Sequence, residues 1–244
     1  MVSKNQIKLI RSLHQKKYRK LTNLFIAEGA KVIQELITAN FELVNLYVTD
    51  AIFTSIDKQI RTEISFADLE KMSALKTANN CLAVFKIPEP VKVQSLGVKL
   101  ALDDIRDPGN MGTIVRLCDW YGITELVCSE DTVDIYNPKV VQATMGSIAR
   151  VNVVYTNLKL YLQQHNTAPI YGTFMDGADI YKSDLLNEGI IVMGNEANGI
   201  SPEIEQLCTQ KLSIPRFGNL QVTESLNVAS ATAIILSEFK RKTV

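Results

Sequence analysis

Three segments of this 244-residue chain gather glycine, proline, carboxamides and charged groups in the way a reactive site does. The first runs from Asp107 to Gly122, where Pro108, Gly109 and Asn110 read as a turn opening a helix and Gly122 as its C-terminal cap. On that helix Ile114, Leu117, Cys118 and Tyr121 form an apolar stripe and Arg116 stands off it. A guanidinium there can reach back to a helix start whose free N–H groups favour anions. In the second segment a buried strand from Ile190 runs into Gly194-Asn195-Glu196-Ala197-Asn198-Gly199, and Ser201-Pro202 starts the next helix. Taken alone it is equally well a polar, capped strand-to-helix turn. In the third, a strand ends at Ile214-Pro215, a loop follows, and a helix rich in Ala and Ser runs from about Ser225. Small residues permit close packing against a sheet, a loop or a second subunit. Asn227, polar among apolar neighbours in the first turn of that helix, needs a hydrogen-bond partner, a need that a purely structural role also meets.

The elements that carry these segments alternate. Strand-like runs at 99–102, 125–128, 151–154, 170–173, 190–193 and 211–214 are separated by helical stretches at about 111–121, 138–147, 157–165, 202–208 and 225–241. Strand and helix in turn predict an α/β domain with a mostly parallel sheet covered on both faces, and ligands of such sheets bind beyond the carboxyl ends of the strands. Ahead of it, helical patterns at 5–14 and 30–37, strands at 43–48 and 81–87 and a helix at 66–75 predict a smaller α/β unit. Two prolines after Ile87 break regular pairing, which places a linker at 91–97 between domains 1–90 and 98–244.

Charge divides at the same place. The zero net charge hides 14 Lys and Arg against 9 Asp and Glu up to residue 96, and 12 against 17 beyond it. Lys4, Lys8, Arg11, Lys16, Lys17, Arg19 and Lys20 all precede the first acid, Glu28. Such a run is either a solvated helix face or a surface that meets a polyanion, and Lys16, Lys17 and Arg19 are the candidates for its phosphate contacts. The four cysteines lie at wide, uneven spacings with only two histidines, so no metal site is expected; the thiols read as small buried hydrophobes in a reducing cytoplasm. His14 is expected to pack or to face that polyanion, His165 to lie at the surface near a helix end, and Trp120 to be a core or interface aromatic. The basic N-terminus lacks the apolar core of a secretory leader, and no apolar run approaches a membrane span. Glycine-rich dinucleotide and P-loop fingerprints and a nucleophile elbow are missing, which disfavours a dehydrogenase, an NTPase or a serine hydrolase.

In this order and spacing, the three segments resemble the signature motifs of the SpoU/TrmH family of RNA ribose 2′-O-methyltransferases, in the SPOUT class. The matching residues are N-x-G-x-x-x-R at Asn110 to Arg116, G-N-E-x-x-G-I-S at Gly194 to Ser201, and I-P followed by S-L-N-V at Ile214-Pro215 and Ser225 to Val228. The stretch from Ile7 to Lys20, followed by Phe25-Ile-Ala-Glu-Gly29, is similar to the family's ribosomal-protein-like substrate-binding domain.

The resemblance implies a trefoil knot near the C-terminal end of residues 98–244, S-adenosylmethionine as cofactor, structured RNA as partner with ribosomal RNA favoured over transfer RNA, and a homodimer whose site draws on both subunits. It implies that Arg116 meets the ribose 2′-hydroxyl, with Asn110, Glu196 and Asn227 completing the catalytic set, and that Thr173, Gly194, Asn195, Ile214 and Leu226 bind the cofactor. A guanidinium, with a pKa above about 12, is a poor base at neutral pH. Two versions therefore stand: a deprotonated Arg116 takes the hydroxyl proton, or a charged Arg116 stabilises the developing alkoxide while phosphate or water takes it. The chain departs from the family pattern at Arg216, where Met is common, and in a longer loop from Gly218 to Ser225. An RNA-binding protein that keeps the scaffold without the reaction, and a methyltransferase of nucleobases, are the rival readings.

Overall fold

The computed structural model describes residues 2–89, 97–218, 220 and 225–241. The expected linker at 91–97 lies, apart from Gly97, outside the described residues, as do residues 219 and 221–224 of the loop between Gly218 and Ser225. The chain forms two compact units, one of the residues up to Glu89 together with Asp134–Arg150, the other of the remainder. The first unit thus takes in a segment that a division at 91–97 assigns to the second.

In the first unit, α1 (Lys4–Ser12) opens on a capping box: the Ser3 hydroxyl accepts from the Gln6 N–H, and the Gln6 side chain accepts from the Ser3 N–H. Lys4, Lys8 and Arg11 are exposed along one stripe of α1. The next helix, α2 (Lys16–Thr22), is one that apolar spacing does not announce, because four of its seven residues are cations. There follow β1 (Leu24–Glu28), α3 (Ala30–Thr38), β2 (Leu43–Val48), β3 (Arg61–Glu63), α4 (Phe66–Met72) and β4 (Cys81–Lys86), with the sheet ordered β1-β4-β2-β3. Alternation along β1 splits the packing: Ile26 joins Ile10 and Leu13 and α4's Leu69 and Met72 on one face. Phe25 turns the other way, stacked 5.7 Å from Phe85 and 4.7 Å from Tyr136.

Arg19 requires a correction. It is 2% exposed, and its Nε and Nη2 donate to one Asp134 oxygen at 2.9 and 2.5 Å while Nη1 donates to the Leu13 carbonyl at 2.8 Å. A guanidinium with these partners is an internal strut of the first unit and not a phosphate contact. Lys16 and Lys17 stay exposed. His14 packs, its Nε2 lying 3.0 Å from the Met72 carbonyl.

The second unit begins with β5 (Val98–Leu102), α5 (Pro108–Trp120) and β6 (Glu125–Ser129). After α6 (Pro138–Thr144), which belongs to the first unit, come β7 (Asn152–Thr156), α7 (Leu158–Gln164), β8 (Ile170–Asp179), β9 (Gly189–Met193), α8 (Pro202–Glu205), β10 (Gln210–Ser213) and α9 (Val228–Arg241). The six strands are all parallel in the order β10-β8-β9-β5-β6-β7. One face, with Ala101, Val127, Ile170 and Val192, packs against Leu158 and Leu162 of α7 and Ile204 of α8. On the other face Tyr171 meets Phe239 of α9 edge-on at 4.9 Å, and α5 packs against α9. The chain proceeds from β5 to β6 on one side and reaches β9 on the other, so the order reverses between β5 and β9 and a crevice opens beyond their carboxyl ends.

Cys81, Cys118 and Cys128 are buried, as expected, and Cys208 is half-buried. Trp120 is 83% exposed, so it is no core residue of this chain. His165 is exposed at the end of α7 and stacks on Tyr161. No helix among the described residues is long and apolar enough to cross a membrane.

Candidate active site

The crevice is furnished by loops that follow β5, β8, β9 and β10. After β5, Asp107 caps α5 by accepting the Asn110 N–H at 2.8 Å, which with Pro108 at the first helical position fixes Asn110 in the first turn. Asn110 Nδ2 donates to Glu196 Oε1 at 2.8 Å, and Asn110 Oδ1 accepts from Asn227 Nδ2 at 2.9 Å. Asn227 Oδ1 in turn accepts the Ala229 and Ser230 N–H groups at 3.0 and 3.2 Å, so it also caps α9. Its expected need for a partner is met twice over. The result is a directional chain, Asn227 to Asn110 to Glu196, that brings together residues up to 117 positions apart.

The loop after β9 is shaped by backbone. A Cβ on Gly194 would sit 2.3 Å from the Gly199 carbonyl carbon and the Ile200 nitrogen, so only glycine fits. Asn195 and Gly199 exchange both N–H···O bonds at 2.9 Å, with Gly199 at φ 69°. The Asn195 side chain is spent inside this network: Oδ1 accepts from Ala197 and Asn198 N–H, and Nδ2 donates to the Asp104 carbonyl at 2.6 Å.

In β8 the strand continues to Asp179, beyond the expected end at 173. Gly172 pairs with Lys211 and Ala178 with Leu212, so Thr173–Gly177 bulges out between consecutive partners on β10. The Gly177 backbone closes the bulge, since a Cβ there would meet the Leu212 carbonyl carbon at 2.5 Å. Thr173 Oγ1 donates to the Val192 carbonyl at 2.9 Å and ties the bulge to β9. Behind it, burial pushes the Cys208 thiol up to about 11, which keeps it neutral and unreactive at physiological pH. Lys211, ion-paired with Glu205, lies 4.8 Å over the Phe174 ring.

Two adjoining cavities result. A cleft of about 1410 Å³ is lined by Thr173, Gly194, Asn195, Ile214 and Leu226, all five expected cofactor residues, with Met193, Ile200, Leu212 and Ile235 as apolar wall. A smaller, polar cavity of about 690 Å³ is lined by Arg106, Asn110, Glu196 and Asn227. Asn195 to Asn198 and Leu226 form part of both walls. Arg116 borders neither. Six residues past Asn110, it is displaced about 9 Å along α5 and about 120° around it. It is exposed, with no hydrogen bond or ion pair among the described residues.

Sequence reasoning passed over Asp103 and Arg106. Asp103 is buried and its Oδ2 accepts the Ser201 N–H at 2.7 Å, anchoring the start of α8 to the end of β5. The paired acids Asp103 and Asp104 directly behind an apolar strand were the available signal.

A profile of the SpoU rRNA methylase family matches residues 97–237. The chain belongs to the SpoU rRNA methylase family. The N-terminal part of this SpoU-family chain, residues 4–83, matches an MRM3-like substrate-binding domain. Among its relatives is the 23S rRNA (guanosine(2553)-2′-O)-methyltransferase RlmP of Bacillus subtilis, 30% identical over 96% of each chain. A solved structure assigned to the TrmH family of RNA methyltransferases, from Porphyromonas gingivalis, superposes with a TM-score of 0.89 at 37% identity over 99% of both chains. An AdoMet-bound rRNA methyltransferase from Sinorhizobium meliloti superposes at 0.86 and 26% identity over 100% of this SpoU-family chain and 98% of the other.

Proposed function

We propose that this SpoU-family protein transfers a methyl group from S-adenosylmethionine to a ribose 2′-hydroxyl of ribosomal RNA. The observation that carries the reading is the Asn227–Asn110–Glu196 chain standing in the wall of the polar cavity, next to a cleft lined by every residue expected to hold the donor. The cleft suits that donor: its apolar wall accepts a neutral purine, and the carboxylates of Asp176 and Glu196 on its lining favour a positively charged ligand. S-adenosylmethionine supplies a methyl group already activated on a sulfonium.

The work left to the protein is to position, to remove a proton and to exclude water. Asn227, capping α9, fixes the amide of Asn110; Asn110 then fixes the Glu196 carboxylate at the boundary between the two cavities. Arg116 is exposed and lines neither of its own chain's cavities, which supports its serving the polar cavity of a second copy in a homodimer. There a charged guanidinium stabilises the developing alkoxide while phosphate or water takes the proton. The small residues Ser230 and Ala233 of α9, which its own chain does not bury, permit close approach of a partner helix. The trefoil knot that the family resemblance implies for the C-terminal end of residues 98–244 is part of the same reading. Lys16 and Lys17, with the exposed stripe Lys4, Lys8 and Arg11, provide the cationic surface for RNA, and an rRNA substrate is in keeping with a cytoplasmic protein.

Calorimetry with S-adenosylmethionine tests the donor half of the reading. The expected result is saturable binding at micromolar concentration. No binding at millimolar cofactor would favour the RNA-binding protein that lacks the reaction.

A further inference from the structure

Two hydrogen-bonded chains end at the polar cavity, and the proposed reaction employs only one of them. The second starts at Asn195, whose Nδ2 donates to the Asp104 carbonyl at 2.6 Å and lies 3.3 Å from Asp104 Oδ2. The other carboxylate oxygen of Asp104 accepts from Arg106 Nε at 2.8 Å. Asp104 sits at φ 58°, a left-handed conformation that Asp tolerates better than most residues, and its own N–H donates to Ser129 Oγ at 2.9 Å. Its backbone is therefore anchored on both sides, and it presents a fixed acceptor to the guanidinium.

Arg106 uses Nε on Asp104, so both terminal amino groups stay unbonded among the described residues, and the side chain is 72% exposed. It is the one cation among the described residues lining the polar cavity, where it faces the carboxylates of Asp107 and Glu196, with Asp131 also near. Both cavity carboxylates are engaged, Asp107 by the Asn110 N–H and Glu196 by the Asn110 amide. An exposed ion pair two residues apart contributes little to stability. What the pair does achieve is to hold a planar fork with two free donor groups at a set place. Such a fork matches two oxygens of a phosphate.

Resting on the reading of this cavity as the acceptor site, we propose that Arg106 binds a phosphodiester of the RNA strand at the acceptor nucleotide, with Asp104 orienting its guanidinium. The other anion in the reaction, the carboxylate of the methyl donor, is the competing source of the same chemistry. Arg106 is not part of the wall of the donor cleft, which favours the phosphate.

Arg106→Ala and Arg106→Lys, each checked by thermal melting, test the assignment. Methyl transfer to an unmodified 23S rRNA transcript is measured over a KCl series, and S-adenosylmethionine binding is measured without RNA. For Arg106→Ala the expected KM for the transcript rises about tenfold, with kcat within about twofold of wild type. The slope of log affinity against log salt shrinks by roughly 0.7–0.9. Arg106→Lys, which keeps charge without the fork, falls between the two, and it carries the test should the alanine variant fail to fold. Cofactor affinity stays unchanged in both. An unaltered transcript KM overturns the proposal, as does weaker cofactor binding with normal RNA affinity. An inactive wild type that binds no S-adenosylmethionine would instead remove the acceptor-site reading beneath it.

Discussion

The strand-exit loops of the second unit and the basic stretch of the first were both marked by sequence, yet the structure treats them differently. In the loops, Asn110, Glu196 and Asn227 converge in one hydrogen-bonded chain, and Thr173, Gly194, Asn195, Ile214 and Leu226 line one cleft. Among the cations named as phosphate contacts, Lys16 and Lys17 face solvent and Arg19 is buried against Asp134. A site motif encodes position, because its glycines and carboxamides have geometric duties that only one arrangement meets. A run of like charges encodes only charge, and a guanidinium three residues from a lysine can serve the core.

The sharpest way to break that contrast is Arg19→Ala. Removing one partner of a buried ion pair leaves Asp134 uncompensated, so unfolding in denaturant should show a loss of about 3–5 kcal/mol. A loss under about 1 kcal/mol would return Arg19 to the surface. Next comes Arg116→Ala, expected to lower kcat by about 10²–10³-fold with no change in melting temperature. Mixed with Glu196→Ala, it should recover about a quarter of wild-type activity if the protein is the proposed homodimer with Arg116 acting across the interface, because half the dimers are then mixed and each of these holds one intact site. No recovery would mean that it acts within its own chain. Asn227→Ala has both roles and so should lose activity together with about 1 kcal/mol of stability from the lost cap of α9. Asn227→Asp, which still caps, should restore the stability alone. The smallest effect is that of Lys16→Ala with Lys17→Ala: an unchanged melting temperature, and a salt dependence of RNA binding flattened by roughly 0.7–0.9 per lost contact.

Much of the fold was legible because apolar runs of four or five residues between helical stretches can hardly be anything but buried parallel strands. The expected runs at 99–102, 125–128 and 190–193 became β5, β6 and β9 within a residue at most of their ends. What escaped lacked that periodicity. Strand β1 passes for part of a motif, since both of its faces are covered and Phe25-Ile26-Ala27 shows no alternation of polar and apolar residues. The bulge at Thr173–Gly177 depends on pairing with β10, about 35 residues later, which no local pattern reports. Asn110, Glu196 and Asn227 were legible as types and spacings, whereas their order of donation, the Asn195–Asp104–Arg106 branch and the burial of Arg19 depend on long-range contacts.

The atom that receives the methyl group is decisive. An unmodified 23S rRNA transcript incubated with the protein and methyl-labelled S-adenosylmethionine, then digested to nucleosides, should carry the label on one 2′-O-methyl nucleoside, at a linkage that resists alkali. Label on a base, with the linkage still cleaved by alkali, would contradict it.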